Sequence, residues 1–254
     1  MTLKPALYLV PVTISNAPVD DVLPPANIGI LRGIRHMIVE NVRTARRFLK
    51  RCDPGFDIAP VTFYELNRHT DLTQVATYLE PLRRGEPMAV MSEAGCPAVA
   101  DPGALPVEIA RREGLAVVPL VGPSSILMSL MASGFNGQGF AFNGYLPIDG
   151  AERGKAIRDL EAESARKDRT QIFIETPYRN NRMILTLAET LRPDTMVCVA
   201  ADITDPDREE IVVLPAREWL TRKYDFDKRP AIFLIYRPQA HAPRDRRKGS
   251  RERK

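Results

Sequence analysis

Residues 91–103, with the sequence MSEAGCPAVADPG, constrain the fold of this chain more than any other segment. They follow an apolar run, residues 87–91, that predicts a short buried strand. They end in Asp101-Pro102-Gly103, which predicts a helix start because Asp caps exposed N–H groups and Pro suits the first helical position. The small residues between strand and helix let a ligand approach the backbone. We therefore predict a ligand loop at the carboxyl end of a parallel strand, where open α/β sheets usually bind ligands.

The first half of the chain alternates between strand and helix patterns, which predicts a mostly parallel sheet covered by helices. The apolar runs predict strands over residues 6–10, 35–40, 60–64, 87–91 and 115–121. Helical spacing of apolar residues predicts helices near Thr44, over residues 72–84 and over residues 104–113. We expect Pro81 to kink or split the second of these helices and Gly85 to end it.

A second set of patterns begins after Gly122, where Gly-Pro-Ser-Ser125 opens a new helix over residues 126–133. Further helices are predicted over residues 151–165, after Thr176-Pro177 and around Trp219, and strands over residues 140–145, 170–175, 196–201, 210–214 and 231–236. We expect Thr176 to be the N-cap of the middle helix, with Pro177 in its first turn. We place a first α/β domain over residues 1–120 and a second over residues 121–238.

The positive charge of the chain is concentrated in its last residues. The 254 residues include 36 Lys and Arg and 32 Asp and Glu, for a net charge of +4. Residues 239–254 hold seven basic and two acidic residues, which leaves 29 basic and 30 acidic residues elsewhere. This polar tail has no apolar periodicity, so we expect it to be disordered. It is either a solubilising tail or a flexible arm attracted to RNA phosphates.

Several classes of protein are excluded by missing patterns. Cys52, Cys96 and Cys198 are odd in number and have no CxxC spacing, which predicts reduced thiols in a cytoplasmic protein and no metal site. No apolar run approaches the ~20 residues that cross a bilayer, so we expect no membrane association. The motifs GxxxxGK[ST], GxGxxG, HExxH and GxSxG are all missing, which argues against a metalloenzyme or a covalent hydrolase.

Six segments occur in an order that is characteristic of one family. They are LYLVPVTISN at residues 7–16, VENVR at 39–43, the loop at 92–103, PLVGPSS at 119–125, GYLP at 144–147 and IETPYR at 174–179. Together they resemble the successive motifs of the tetrapyrrole methylase-like (class III) methyltransferases. The branch they resemble most is the small-subunit ribosomal RNA (cytidine-2′-O)-methyltransferases. Any one of these motifs is weak evidence, whereas six in family order are strong evidence.

The resemblance implies a fold, a cofactor and a set of binding residues. The fold would be two α/β domains, the first sheet mostly parallel and the second mixed, with S-adenosylmethionine (SAM) in the cleft between them and a homodimer as the assembly. The implied SAM-binding residues are Pro11, the loop residues Gly95, Cys96 and Pro97, the helix-start residues Ser124 and Ser125, and, from the second domain, Glu175, Thr176, Pro230 and Ala231.

Methyl transfer from a sulfonium is an in-line displacement that needs an aligned acceptor and removal of the acceptor's proton. Our candidates for this chemistry are Glu40, Arg43 and Asp101. Each has a structural alternative, since Glu40 and Arg43 could form an ion pair and Asp101 could simply cap a helix. We interpret Cys96 as a small loop-filling residue because no cation lies beside it in the sequence.

The chain departs from the ribosomal RNA branch in the loops that flank the predicted site. Glu93 replaces a common Asp, Cys96 replaces Thr, and residues 200–205 (AADITD) replace a segment similar to Arg-Glu-Leu-Thr-Lys. The main hypothesis is a SAM-dependent methyltransferase that acts on the ribose 2′-oxygen of ribosomal RNA. The alternatives are a methyltransferase for a porphyrin or corrin precursor, and a SAM- or RNA-binding module without turnover.

Overall fold

Two five-stranded sheets organise residues 3–238, the part of the chain that the computed structural model describes. The first unit comprises the described residues up to Met128 together with Asp202–Glu209, and the second comprises Ser129–Ala201 and the described residues from Glu210 onward. The basic tail predicted over residues 239–254 lies outside the described residues.

The sheet of the first unit is entirely parallel, in the order β3-β2-β4-β1-β5. Its strands are β1 (Leu7–Leu9), β2 (His36–Val39), β3 (Thr62–Glu65), β4 (Met88–Met91) and β5 (Val117–Pro119). All five predicted strands are confirmed, with ends that differ by two residues at most. Because the strands are parallel, the segments that follow β1, β2, β4 and β5 all leave the same edge of the sheet.

Both faces of this parallel sheet are buried, as the near-continuous apolar strands require. Along β1 and β4 successive side chains point to opposite faces. Tyr8 and Met91 pack into the core on one face, and Leu7, Met88 and Val90 pack into the core on the other.

Helices cover both faces of this sheet. They are α1 (Val19–Val22), α2 (Pro25–Leu31), α3 (Val42–Cys52), α4 (Val75–Tyr78), α5 (Glu80–Arg83) and α6 (Ala104–Arg112), with a 3-10 turn at Leu72–Gln74. The predicted split of the helix over residues 72–84 is confirmed, since Pro81 lies in the first turn of α5. Gly85, with φ +87°, follows the end of that helix. No helix among the described residues has both the length and the apolar character needed to cross a bilayer.

The second unit contains a mixed sheet in the order β6-β7-β10-β8-β9, as the resemblance implied. Only the β6–β7 pair is parallel, and the other three pairs are antiparallel. The strands are β6 (Phe140–Tyr145), β7 (Thr170–Ile174), β8 (Met196–Ala201), β9 (Glu210–Pro215) and β10 (Ala231–Tyr236). The helices are α8 (Gly150–Lys167), α9 (Asn180–Thr190) and α10 (Ala216–Trp219), with a 3-10 turn at Pro177–Arg179 and the part of α7 (Ser125–Ser133) that begins at Ser129. The stacked rings of Phe173 and Phe233, 5.7 Å apart, lie in its core.

The division between the units falls after Met128, inside α7, whereas the sequence placed the domain change at residue 120. Contacts of the intervening residues explain the difference. The Asn27 side-chain amide donates to the Val121 carbonyl at 2.8 Å, which ties this segment to the first unit. The segment Asp202–Glu209 also joins the first unit, where the Thr204 and Ser15 hydroxyls are 2.9 Å apart.

Candidate active site

Three loops of the first unit meet at the carboxyl edge of its sheet. The loop after β1 is bridged to the loop after β4, since the Val12 N–H donates to the Gly95 carbonyl at 2.9 Å. The loop after β5 packs against the same β1 loop at Gly122. A Cβ atom on Gly122 would lie 2.2 Å from the Cβ of Pro11, closer than real atoms approach, so only glycine fits here. These contacts bring Pro11, Gly95 and the segment before Ser124 next to one another.

The loop after β4 has an unusual backbone. Gly95 has φ +69°, and the alanines at 98 and 100 have φ of +67° and +60°, in the left-handed region that side chains disfavour. Such conformations persist only where surrounding contacts hold them. The holding contact is the Asp101 carboxylate, whose Oδ1 accepts the N–H groups of Ala98 at 2.8 Å and Gly103 at 2.7 Å.

Helix α6 begins at Ala104, as expected, but Asp101 is not its N-cap. The N-cap position is Gly103, and no side chain caps the helix there. The prediction of a capping role is wrong because the Asp101 carboxylate is already used by the loop. A Cβ on Gly103 would lie 2.9 Å from Asp101 Oδ1, so a glycine at this position keeps the carboxylate close to the backbone.

The Cys96 thiol joins the β4 loop to the β5 loop. It donates to the Pro123 carbonyl at 3.4 Å and lies 3.9 Å from the Gly122 carbonyl. Burial raises the pKa of this thiol above its ordinary value, which keeps it protonated and unreactive. The structure therefore fits the interpretation of Cys96 as a loop-filling residue.

Glu40 follows β2 and reaches the same loop. Its Oε1 accepts the Glu93 N–H at 3.1 Å. Burial raises the pKa of the Glu40 carboxyl; the Glu93 N–H lowers it in part, and the charges of Asp101 and Glu93 raise it further. A carboxyl with a raised pKa is a better proton acceptor near neutral pH than an ordinary one.

Asp101 is the second carboxyl of the site with a raised pKa. Burial is the main cause, and the N–H groups of Gly103 and Ala98 and the nearby Ser92 hydroxyl oppose it. Its Oδ2 is buried and accepts no hydrogen bond within ordinary distances and angles, because the Ser92 hydroxyl donates to the Ala94 carbonyl instead. This oxygen lies below the surface, so Asp101 acts on the loop backbone through Oδ1.

Arg43 lies at the start of α3 and is exposed. Its backbone N–H is bound by the side chain of Asn41, which caps the helix. The ion pairs of the described residues do not include one between Glu40 and Arg43, so the structural alternative that the sequence left open is not found. The guanidinium of Arg43 therefore forms no ion pair with the Glu40 carboxylate.

Ser124 and Ser125 lie where α7 begins. The Ser124 hydroxyl accepts the Leu127 N–H at a long 3.4 Å, which makes Ser124 a weak N-cap. Ser125 is the first residue of the helix. Both are half-buried, so a ligand can reach the start of this helix, where the helix dipole favours an anionic group.

The remaining predicted residues lie together in the second unit. Ile174 of β7 pairs with Ile232 of β10, so Glu175 and Thr176 at the end of β7 are close to Pro230 and Ala231 at the start of β10. Thr176 occupies the N-cap position of the 3-10 turn that precedes α9, with Pro177 in its first turn, as predicted. Its side chain makes no capping hydrogen bond, however.

Glu175 makes the local contacts instead. Its Oε1 accepts the Thr176 N–H at 2.6 Å and the Arg179 guanidinium at 2.6 Å. The Glu175 side chain is 3% exposed, so the ion pair with Arg179 fixes it at the end of β7. Pro230 is exposed and Ala231 is buried.

A cavity of about 310 Å³ in the first unit was not predicted from the sequence. It lies between α3 and the loops after β1 and β4. Its lining residues are Val12, Thr13, Asn16, Thr44, Ala45, Arg47, Phe48, Arg51, Met91, Ser92 and Glu93. The available signal was the polar spacing of Thr44, Arg47 and Arg51, which places them on one face of α3. Among residues 3–238 no group of three or more His, Cys, Asp or Glu could hold a metal ion.

Two curated relatives have the same name, ribosomal RNA small subunit methyltransferase I. The protein of Vibrio cholerae is 32% identical over 235 residues, which cover 91% of this chain and 77% of that protein. The protein of Halalkalibacterium halodurans is 34% identical over 178 residues, which cover 69% of this chain and 57% of that protein. No protein-family model matches. The chain belongs to the ribosomal RNA small subunit methyltransferase I family.

Solved structures confirm the tetrapyrrole methylase-like fold that the resemblance implied. Cobalt precorrin-4 methyltransferase superposes with a TM-score of 0.58 at 18% identity, covering 91% of this chain and 95% of that one. The uroporphyrin-III C-methyltransferase of Thermus thermophilus, complexed with S-adenosylhomocysteine, superposes with a TM-score of 0.55 at 18% identity, covering 91% and 97%. The predicted family and enzyme class, a methyltransferase, are both confirmed.

Substitution of Gly122 tests the contact between the β1 and β5 loops of this methyltransferase. We expect Gly122→Ala to lower the free energy of unfolding by about 1–3 kcal/mol, because the new methyl group overlaps Pro11. Gly29→Ala is the matched control. Gly29 lies in α2 with open space around it, so alanine should raise the free energy of unfolding by about 0.5–1 kcal/mol. Denaturant titration measures both values, and equal effects would refute the contact.

Proposed function

We propose that this protein transfers a methyl group from SAM to a ribose 2′-hydroxyl of small-subunit ribosomal RNA. The observation that carries the proposal is the junction of three loops at the edge of the parallel sheet, in a chain of the methyltransferase I family. The curated relatives are named for ribosomal RNA of the small subunit.

The three loops provide what a SAM site requires. In the loop after β4, Gly95, Cys96 and Pro97 present small side chains and backbone polar groups, and Asp101 already fixes the backbone conformation of this loop. Pro11 contributes from the loop after β1, which the Val12–Gly95 bridge holds beside it. Ser124 and Ser125 add hydroxyl groups at the positive end of a helix, which suits the carboxylate of the methionine part. As the resemblance implies, we also propose Glu175, Thr176, Pro230 and Ala231 of the second unit as SAM-binding residues.

Bound SAM supplies a methyl group on a positively charged sulfur, and the protein must supply an acceptor that can lose its proton. Glu40 is the base in our proposal, because its raised pKa favours uptake of a proton and it is anchored to the ligand loop at Glu93. Asp101 keeps the ligand loop in position through its contacts with the Ala98 and Gly103 N–H groups. Arg43, exposed and not paired with Glu40, contacts an RNA phosphate.

The alternatives from the sequence fit less well. Structural neighbours that act on porphyrin or corrin precursors share 18% identity or less with this chain, which supports the fold alone. Relatives at 32% and 34% identity are RNA methyltransferases by name, which favours turnover on RNA over a binding module without turnover. We place the enzyme in the cytoplasm, where its ribosomal substrate is assembled.

We also propose a homodimer that buries the exposed apolar face of α7. Leu127 and Met131, four residues apart on this helix, are 48% and 81% exposed. Side chains at this spacing lie on one helix face. An exposed apolar helix face between polar loops is typical of a contact between subunits.

Transfer of labelled methyl groups tests the function directly. We expect the purified protein to move tritium from labelled SAM into small-subunit RNA taken from cells that lack the gene, and mass spectrometry to locate the methyl group on a ribose. Incorporation into a porphyrin or corrin precursor, with none into RNA, would contradict the proposal.

Glu40→Gln is the matched variant for that assay. It keeps the size of the side chain but cannot accept a proton, so kcat should fall about 10²- to 10⁴-fold while SAM affinity is retained. Since a base works in its ionised form, the wild-type rate should rise with pH through the raised pKa of Glu40. That rise should be missing in the variant, and a variant with wild-type kcat and pH profile would exclude Glu40 as the base.

The dimer is tested by placing a charge on α7. We expect Met131→Glu to shift the protein from dimer to monomer in light scattering, because the charge must lose its hydration at the interface. Leu185→Glu is the control, since Leu185 is also exposed but lies on α9. A wild-type protein that is monomeric at all concentrations would exclude the dimer.

A further inference from the structure

The cavity beside α3 has a charge pattern that the proposed SAM site does not use. Thr44, Arg47 and Arg51 face it from the helix at spacings of three and four residues. Seven residues of helix rise about 10 Å, so the cavity follows α3 over almost two turns. All the lining residues of this cavity belong to the first unit.

Hydrogen bonds hold an anionic side chain at one end of this cavity and a cationic side chain at the other. At the start of α3 the Thr44 hydroxyl donates to the exposed carboxylate of Glu93. At the end of the helix the Arg51 guanidinium donates to the Ala17 carbonyl at 2.9 Å and to the Thr13 hydroxyl at 3.4 Å. The cavity therefore has a carboxylate acceptor at one end and a cation held in place at the other.

Arg47 lies between these ends and is exposed. Within the described part of the chain, the Arg47 side chain forms no ion pair, hydrogen bond or ring contact. By contrast, the Arg32 side chain pairs with Asp53 and the Arg83 side chain pairs with Glu113. A guanidinium that faces a polar cavity without a protein partner suits a phosphate, since its planar N–H groups bind phosphate oxygens in pairs.

The remaining walls suit the base of a nucleotide. Val12, Ala45, Phe48 and Met91 give the cavity an apolar side. Bases of single-stranded RNA are recognised by apolar contact with their faces and by hydrogen bonds at their edges. Glu93 can only accept hydrogen bonds when ionised, so it selects a base edge that carries an amino group.

We infer that this cavity holds one nucleotide of the RNA substrate, with its phosphate on Arg47 and a base amino group on Glu93. The inference rests on the proposed function, because it assumes an RNA substrate. The cavity adjoins the loop after β4, which begins with Ser92 and Glu93 and continues to Gly95. A nucleotide bound there would position the RNA strand next to the proposed methyl donor.

The phosphate contact is tested by Arg47→Ala, with Arg46→Ala as the control. Arg46 lies on the same helix, carries the same charge and is exposed, but its guanidinium lies over the Phe63 ring, outside the cavity. We expect Arg47→Ala to weaken binding of the small-subunit RNA about tenfold, the loss typical of one charge-assisted hydrogen bond. The slope of log affinity against log salt concentration should also fall by about 0.7, as for one lost phosphate contact. SAM affinity should be unchanged in both variants.

The base contact is tested by Glu93→Gln, which keeps the side-chain size. We expect weaker RNA binding with an unchanged salt slope, because no phosphate contact is lost. Unchanged or tighter RNA binding by this variant would overturn the role of Glu93. If Arg47→Ala and Arg46→Ala behave alike while the wild type methylates RNA, the phosphate site is wrong. If the wild type methylates no RNA at all, the proposed function fails instead. Melting temperatures within the range of the wild type show that each variant is folded.

Discussion

The contact of Pro11 with Gly122 is the constraint on which the candidate site depends. It brings the loops after β1 and β5 to van der Waals distance, which no side chain at position 122 would allow. The bridge between Val12 and Gly95 adds the loop after β4 to the same junction. Because all three strands are parallel, the loops leave the same sheet edge and these two contacts suffice to assemble them.

The chemistry of the site follows from this junction. The loop after β4 adopts left-handed backbone at two alanines, and the Asp101 carboxylate holds it there with two N–H contacts. The same loop presents the Glu93 N–H to Glu40, a second half-buried carboxyl of the site. Burial raises the pKa values of both carboxyls, and for Glu40 the charges of Asp101 and Glu93 raise the pKa further. The environment that shapes the ligand loop therefore also prepares a proton acceptor.

Most of the fold could be predicted from the sequence, because apolar runs and helical spacing determine which segments are strands and helices. The split of the helix at Pro81 was also predictable, because proline has no backbone N–H to donate within a helix. The contacts of the Asp101 and Thr176 side chains could not be predicted. Whether such a residue caps a helix or binds a loop depends on the nearby backbone, and at neither position does the side chain form the expected capping hydrogen bond.

The long-range contacts that form the site could not be predicted from the sequence pattern either. Gly122 was recognised as part of a loop before a helix, but its contact with Pro11 joins positions more than a hundred residues apart. The cavity beside α3 requires that Arg47 of the helix and Glu93 of the loop after β4 line one space. Spacing along one helix indicates which residues share a face, and it does not indicate what that face meets.

Amide hydrogen exchange of the wild-type protein, with and without SAM, tests the central claim that the three loops bind this cofactor. We expect SAM to slow exchange in peptides that contain residues 12–13, 95–98 and 124–125, because ligand contacts suppress local opening of these loops. Bound SAM that leaves exchange in all three loops unchanged, while slowing it in other segments, would contradict the claim.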